Sequence, residues 1–139
     1  MDYIASIERG RVDRDWIWHM LSQQAYWHRW RSRAEIETQL DGAWRVVGVY
    51  AAGDGAQVGY ARAMSDGVGE AYLADVIVDP AHRGSGIGKL LVRTMIEDGP
   101  GNQFRWTLFT KDAHGLYSQF GFAAPDATAM VRPSGRAAT

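Results

Sequence analysis

The sequence predicts a mixed α/β (α+β) domain built on a central, mixed and mostly antiparallel sheet. Three observations predict it. Before residue 43, apolar side chains recur at helical spacings of three and four. From residue 44 the period changes to two and holds through three runs separated by glycine-containing turns. A strand–helix–strand unit then follows, and the right-handed rule for such crossovers makes its two strands parallel.

Each element has its own signal. Tyr3 to Ile7 alternates weakly and reads as a short edge strand. Asp13 can cap a helix from Arg14 that carries Trp16, Ile17, Met20 and Leu21 on one face. Ser32 can cap a second helix through Ile36 and Leu40, ending at Gly42. Strands follow over Trp44 to Ala51, Gln57 to Met64 and Glu70 to Val78, divided by Gly53-Asp54-Gly55 and Ser65-Asp66-Gly67. Asp79-Pro80 stops the third. Ile87, Leu90, Leu91, Thr94 and Met95 form the apolar stripe of a helix over 85–98, closed by Gly99-Pro100. Phe104 to Phe109 reads as a strand, Asp112 to Phe120 as a helix capped by Asp112, and Ala127 to Val131 as a last short strand. The predicted order is β-α-α-β-β-β-α-β-α-β in one domain over 1–139, with a frayed tail from Pro133.

Composition narrows the function. The 139 residues contain no cysteine, which excludes disulfides, thiolate nucleophiles and cysteine–zinc sites. The four histidines have no metal-ligand spacing, so no metal site is expected. A net charge of −1 argues against a nucleic-acid partner held by a bulk positive field. No apolar run reaches membrane-spanning length and no export signal is visible, so a cytoplasmic protein without a membrane partner is expected. Thirteen of the fifteen basic residues are arginine, and four of the six tryptophans fall between Trp16 and Trp30. Core packing is the ordinary role for such aromatics.

The segment His82-Arg83-Gly84-Ser85-Gly86-Ile87-Gly88-Lys89 joins a buried strand to a helix. Glycine in a helix start costs about 0.8–1 kcal/mol relative to alanine, which suits a backbone that something must approach closely. Free amides and the helix dipole attract anions there. Residues 80–96 contain no acid, whereas Arg83, Lys89 and Arg93 are cationic, and Glu97 and Asp98 stand at the unfavourable end. The spacing fits neither a Walker loop, which needs Gly at 83 and Ser or Thr at 90, nor a dinucleotide fingerprint, which needs Gly at 89.

Arg83-x-x-Gly86-x-Gly88, after the strand ending Val76-Ile77-Val78, resembles the acetyl-CoA signature of the GCN5-related N-acetyltransferases (GNAT). Asp112 to Phe122, ending in Tyr117-x-x-x-Gly121-Phe122, resembles that family's late helix. The resemblance spans roughly residues 44–122 and implies the GNAT fold, with helices on both sheet faces. It implies that the backbone of Val76, Ile77 and Val78 pairs with the pantetheine arm, and that the amides of 84–89, with Arg83 and Lys89, cradle the pyrophosphate. It implies that Tyr117 is the general acid, protonating the departing thiolate as acetyl passes directly to an amine. Where many relatives carry Asn, this chain has Thr110, whose hydroxyl can replace one pantetheine contact.

Asp75, flanked by Ala74 and Val76, is the candidate base, with a carboxyl expected to be raised by its apolar surroundings; Glu70 on the same strand and a water chain are alternatives. Tyr26, Trp27 and Arg29 lie where relatives bind the acceptor. The implied activity is transfer from acetyl-CoA to a primary amine of a small molecule or peptide. Such proteins often pair, so a homodimer is a further expectation. The rival is a noncatalytic acyl-CoA-binding or regulatory module, which would retain 76–89 and dispense with Tyr117.

Overall fold

The computed structural model describes residues 2–136. Five strands form one sheet in the order β1-β2-β3-β4-β5: β1 (Tyr3–Ser6), β2 (Arg45–Ala51), β3 (Gln57–Ser65), β4 (Glu70–Val78) and β5 (Arg105–Thr107). The first four pair antiparallel, and β4 pairs with β5 in parallel. Four α-helices accompany them: α1 (Arg14–Gln23), α2 (Arg33–Gly42), α3 (Ile87–Ile96) and α4 (His114–Ser118). No helix among the described residues is long and apolar enough to cross a membrane.

Helix starts follow their local chemistry. Asp13 accepts from the Trp16 amide at 3.0 Å, and Ser32 and Glu35 exchange bonds in a reciprocal capping box. Alternation along the strands sends side chains to two cores. Ile17, Leu21, Ile36 and Leu40 pack with Val46, Tyr60 and Ile77 on one face, joined by Trp16, Trp18 and Trp27. On the other, α3 and Tyr117 pack against Val47, Val49, Val58 and Leu73, joined by Trp44 and Trp106.

The arginine excess has a structural use. Arg9 donates to the carbonyls of Leu40 and Ala43 at the end of α2. Arg29 does so to Ala25 and Gln23 after α1, and Arg45 to Met95 (2.9 Å) and Asp98 at the end of α3. A planar guanidinium can cover several orphan carbonyls at once. Arg45 thereby offsets the acids that stand at the C-terminal end of α3.

Three expectations change. No strand forms over 127–131. Asp126 turns back to accept from the Thr128 amide at 2.9 Å, and β5, the outer strand on that side of the sheet, is only three residues long. The helix at Tyr117 starts later than expected: Asp112 does not cap it, and Thr110 Oγ1 accepts from Ala113 N at 3.0 Å instead. The tail is held as far as Arg136, which pairs with Glu35 at 2.7 Å and lies 4.4 Å over the Trp30 ring; residues 137–139 lie outside the described residues.

α3 sits close to the sheet because Gly59 lacks a side chain. A Cβ there would stand 2.8 Å from Ile87 Cγ2 and 3.2 Å from Leu91 Cδ1. Gly59→Ala should therefore lower stability by about 1–3 kcal/mol, read as a reduced urea midpoint at unchanged slope.

Candidate active site

Two strands that meet only at one end create the site. β4 and β5 pair over Glu70–Tyr72 and Arg105–Thr107. Beyond Tyr72, residues 73–78 of β4 keep β3 on one edge and have no strand on the other. Backbone groups on that open edge lack ladder partners. A cleft of about 640 Å³ lies there, lined by 73–76 of β4, 108–113 after β5, Tyr117 of α4 and Tyr26, Trp27 and His28.

A β-bulge shapes the open stretch. Arg62 stands opposite Ala74 and Tyr60 opposite Ile77, so Asp75 and Val76 together oppose Ala61. Asp75 takes a left-handed φ of 55°, a conformation that Asp tolerates better than most residues. Its carboxylate turns toward the α1–α2 face and is buried. Arg31 grips it with two bonds of 2.7 and 3.0 Å, Arg62 Nε donates at 2.7 Å, and Trp27 Nε1 at 3.0 Å. Arg31 also donates to the His28 carbonyl and to Gln39. Two segments distant in sequence, the α1–α2 connection and β3, are thus tied to one side chain of β4.

Burial alone would push the Asp75 carboxyl up. The hydrogen bonds and charges of Arg31 and Arg62 outweigh it and hold the pKa at about 2. The expected raised value is therefore overturned, because both arginines were invisible as neighbours in the sequence. A carboxylate so held has little affinity for a proton and is poorly suited to a base. Glu70, the alternative, is exposed and pairs with Arg105 at 2.9 Å on the surface.

Tyr117 is buried in the cleft wall, with Phe122 edge-on at 5.9 Å. Burial, then the neighbouring Tyr26 and Asp112, push its phenol up to about 12. It stays protonated throughout the neutral range.

At the end of β4 the chain turns through a 3₁₀ segment, Pro80–His82, into the glycine corner. Gly84 and Gly86 both adopt left-handed φ, 80° and 81°, which explains the residue type. Gly88 has another reason: a Cβ there would lie 3.3 Å from Leu116, so it lets α3 and α4 approach. α3 has neither a side-chain cap nor an acid in its first turn. The amides of 83–89 have no acceptor among the described residues, the first bond being Leu90 N to Gly86 O at 3.0 Å. Arg83, Ser85 and Lys89 are exposed; Ile87 is buried and offers the corner only its backbone.

A family model described as "Acetyltransferase (GNAT) family" matches residues 12–122. The chain belongs to the GNAT acetyltransferase family. A solved structure from Xanthomonas campestris pv. campestris, assigned to the GNAT family, is 34% identical, with a TM-score of 0.87 over 96% of this chain and 94% of that one. Glucosamine-6-phosphate N-acetyltransferase from Arabidopsis thaliana, 14% identical, shares the fold with a TM-score of 0.67 over 96% of this chain and 99% of its own. A curated relative, the chloroplastic GCN5-related N-acetyltransferase 1 of Arabidopsis thaliana, is 37% identical over 68 residues. That match covers 49% of this chain, which spans about a third (34%) of the relative's length.

In this GNAT chain the residues singled out from sequence divide by location. Tyr117, Asp75, Val76, Thr110, Tyr26 and Trp27 all border the cleft. Ile77 and Val78 continue β4 toward the glycine corner, Ile77 facing one core and Val78 the other. Arg29 does not border the cleft; its guanidinium is folded onto the carbonyls of Gln23, the last residue of α1, and Ala25 just beyond it. Trp27 reaches Asp75, while Tyr26 accepts from the Lys111 amide at 3.3 Å and so links the two rims. Arg31 and Arg62 were missed. The legible signal was an arginine and an aspartate in the apolar runs on either side of one hairpin turn.

Because its folded pKa lies below the ordinary 3.8, Asp75 contributes stability that is present above about pH 4 and is lost as pH falls toward about 2. The contribution is about 2 kcal/mol. Asp75→Asn should abolish that acid dependence and leave two buried guanidinium groups uncompensated, costing roughly 3–5 kcal/mol at pH 7. Urea unfolding between pH 7 and pH 2 measures both effects.

Proposed function

We propose that this protein is an N-acetyltransferase that moves the acetyl group of acetyl-CoA directly to a primary amine of a small molecule or peptide. One observation carries the reading: the unpaired edge of β4 runs from the Tyr117 cleft to a corner of free amides. Acetyl-CoA supplies an activated acetyl group as a thioester. The corner's chemistry fits its diphosphate, since seven successive amides from Arg83 to Lys89 lack acceptors among the described residues and Arg83 and Lys89 are exposed cations beside them. The backbone of Val76, Ile77 and Val78 is suited to hold an extended amide chain as another strand would. Thr110 Oγ1 accepts from Ala113 N, which leaves its O–H free to donate into the cleft.

In the transfer, the amine nitrogen bonds to the acetyl carbon as the carbon–sulfur bond breaks. Tyr117 gives its phenolic proton to the departing sulfur, and water in the open cleft removes the amine proton. Asp75 takes a positioning role: it locks the bulge in β4 and holds Trp27 and the α1–α2 loop against the cleft.

Calorimetric titration with coenzyme A tests the corner, and thiol release with an amine panel tests the transfer. Tyr117→Phe should reduce kcat by about 10²–10⁴-fold with coenzyme A affinity nearly unchanged. Equal turnover in that variant removes Tyr117 from the mechanism. Binding without turnover of any amine by the native protein identifies a noncatalytic acyl-CoA-binding module.

The phenol's high pKa predicts one further result. The wild-type kcat should show no descending limb from Tyr117 ionisation up to pH 10, a fall that an ordinary phenol would produce.

A further inference from the structure

Arg62 is a buried cation with most of its hydrogen-bonding capacity unused. A guanidinium has five N–H donors. Nε of Arg62 reaches Asp75 at 2.7 Å, whereas its two Nη nitrogens meet no acceptor among the described residues. The side chain is only 6% exposed, yet its Nη nitrogens are not sealed from solvent, since Tyr50 Oη is the one buried side-chain atom without a partner among the described residues; they open into the cleft that also contains Tyr117. Asp75 has no room for another donor, because its two oxygens already accept four hydrogen bonds. Arg31, Arg62 and Asp75 therefore sum to one positive charge beneath the cleft with no further counterion among the described residues. Guanidinium donors facing a cleft in this way are placed to receive an anionic group of a ligand.

The remaining charges around the cleft do not supply a counterion. Lys111 and Asp112 are adjacent and exposed at the rim, where their charges offset each other. Burial and the nearby Arg31 lower the His28 pKa, so its imidazole is neutral at pH 7. Arg29 is turned away. We propose that Arg62 receives a carboxylate on the acceptor, so the substrate class is an amine that also bears a carboxylate group, as an amino acid does. The pair of Nη groups matches a planar carboxylate in a two-bond fork. A single net positive charge matches one carboxylate better than a doubly charged phosphate. Because Arg62 stands on β3 and is braced by Asp75, the fork is held rigid. The inference rests on the acetyl-transfer reading above and adds the acceptor's chemistry to it.

The test is thiol release from acetyl-CoA with each proteinogenic amino acid, its carboxamide and simple alkylamines, in wild type and Arg62→Gln. Coenzyme A affinity is measured alongside by calorimetry. At least one amino acid should be acetylated with kcat/KM about 10–10²-fold above its carboxamide. Arg62→Gln should erase that difference mainly through KM, with coenzyme A affinity retained, and Arg62→Lys should restore part of it. Carboxamides or alkylamines used as well as the amino acids overturn the carboxylate assignment while leaving acetyl transfer standing. A preference that survives Arg62→Gln does the same. The wild-type ratio needs no variant, so the assignment is decided even if Arg62→Gln fails to fold. A protein that acetylates no amine at all brings down the acetyl-transfer reading, and the acceptor assignment with it.

Discussion

Burying a carboxylate inside a sheet is unfavourable unless several donors surround it, and around Asp75 that requirement organises half the molecule. The donors come from β3 (Arg62) and from the segment between α1 and α2 (Trp27 and Arg31). The α1–α2 segment carries an aromatic and polar sequence with no helical or strand period of its own, so its path is decided by where Trp27 and Arg31 must go. Asp75 in turn stands at the bulge, with a left-handed backbone that a regular strand would not contain. One ionic contact thus sets the kink in β4, the path of the loop across the cleft and the placing of Arg62 beneath it.

The cleft itself follows from a mismatch in strand length. β4 has nine residues and β5 three, so their pairing ends early and the rest of β4 keeps an open edge. In native sheets such an edge is usually covered or blunted. Here it borders the cleft on one stretch and leads to the glycine corner on the next. The two sites are aligned because they lie along a single strand. Gly59 and Gly88 serve that alignment from below, since they let α3 lie close to the sheet and α4 close to α3.

Five of the arginines do two jobs that depend on the geometry of the guanidinium as well as its charge. At the ends of α1, α2 and α3 a guanidinium covers carbonyls that would otherwise lack donors. Around Asp75 two guanidinium groups share one carboxylate. A lysine's single ammonium could not span the same sets of oxygens. At these five positions, Arg9, Arg29, Arg45, Arg31 and Arg62, the geometry of the guanidinium accounts for the choice of arginine over lysine.

Local patterns in the sequence determined nearly all of the architecture. Caps at Asp13 and Ser32, the change of period at residue 44, the turns and the α3 stripe depend on neighbours within a few positions, and each element formed where those neighbours placed it. The glycine corner and Tyr117 were legible for the same reason, as short motifs with fixed spacing. The late strand over 127–131 failed because alternation alone cannot supply a sheet edge for it to join. Only tertiary structure decided the chemistry of the buried charges. Asp75 looked like a carboxyl raised by apolar neighbours, and Arg29 looked like the free cation of the loop. Folding brought Arg31 and Arg62 to Asp75 across more than ten residues of sequence and turned Arg29 onto a helix end. A charge responds to every group within a few ångströms, whatever their separation along the chain, so its state is fixed only once the chain has folded.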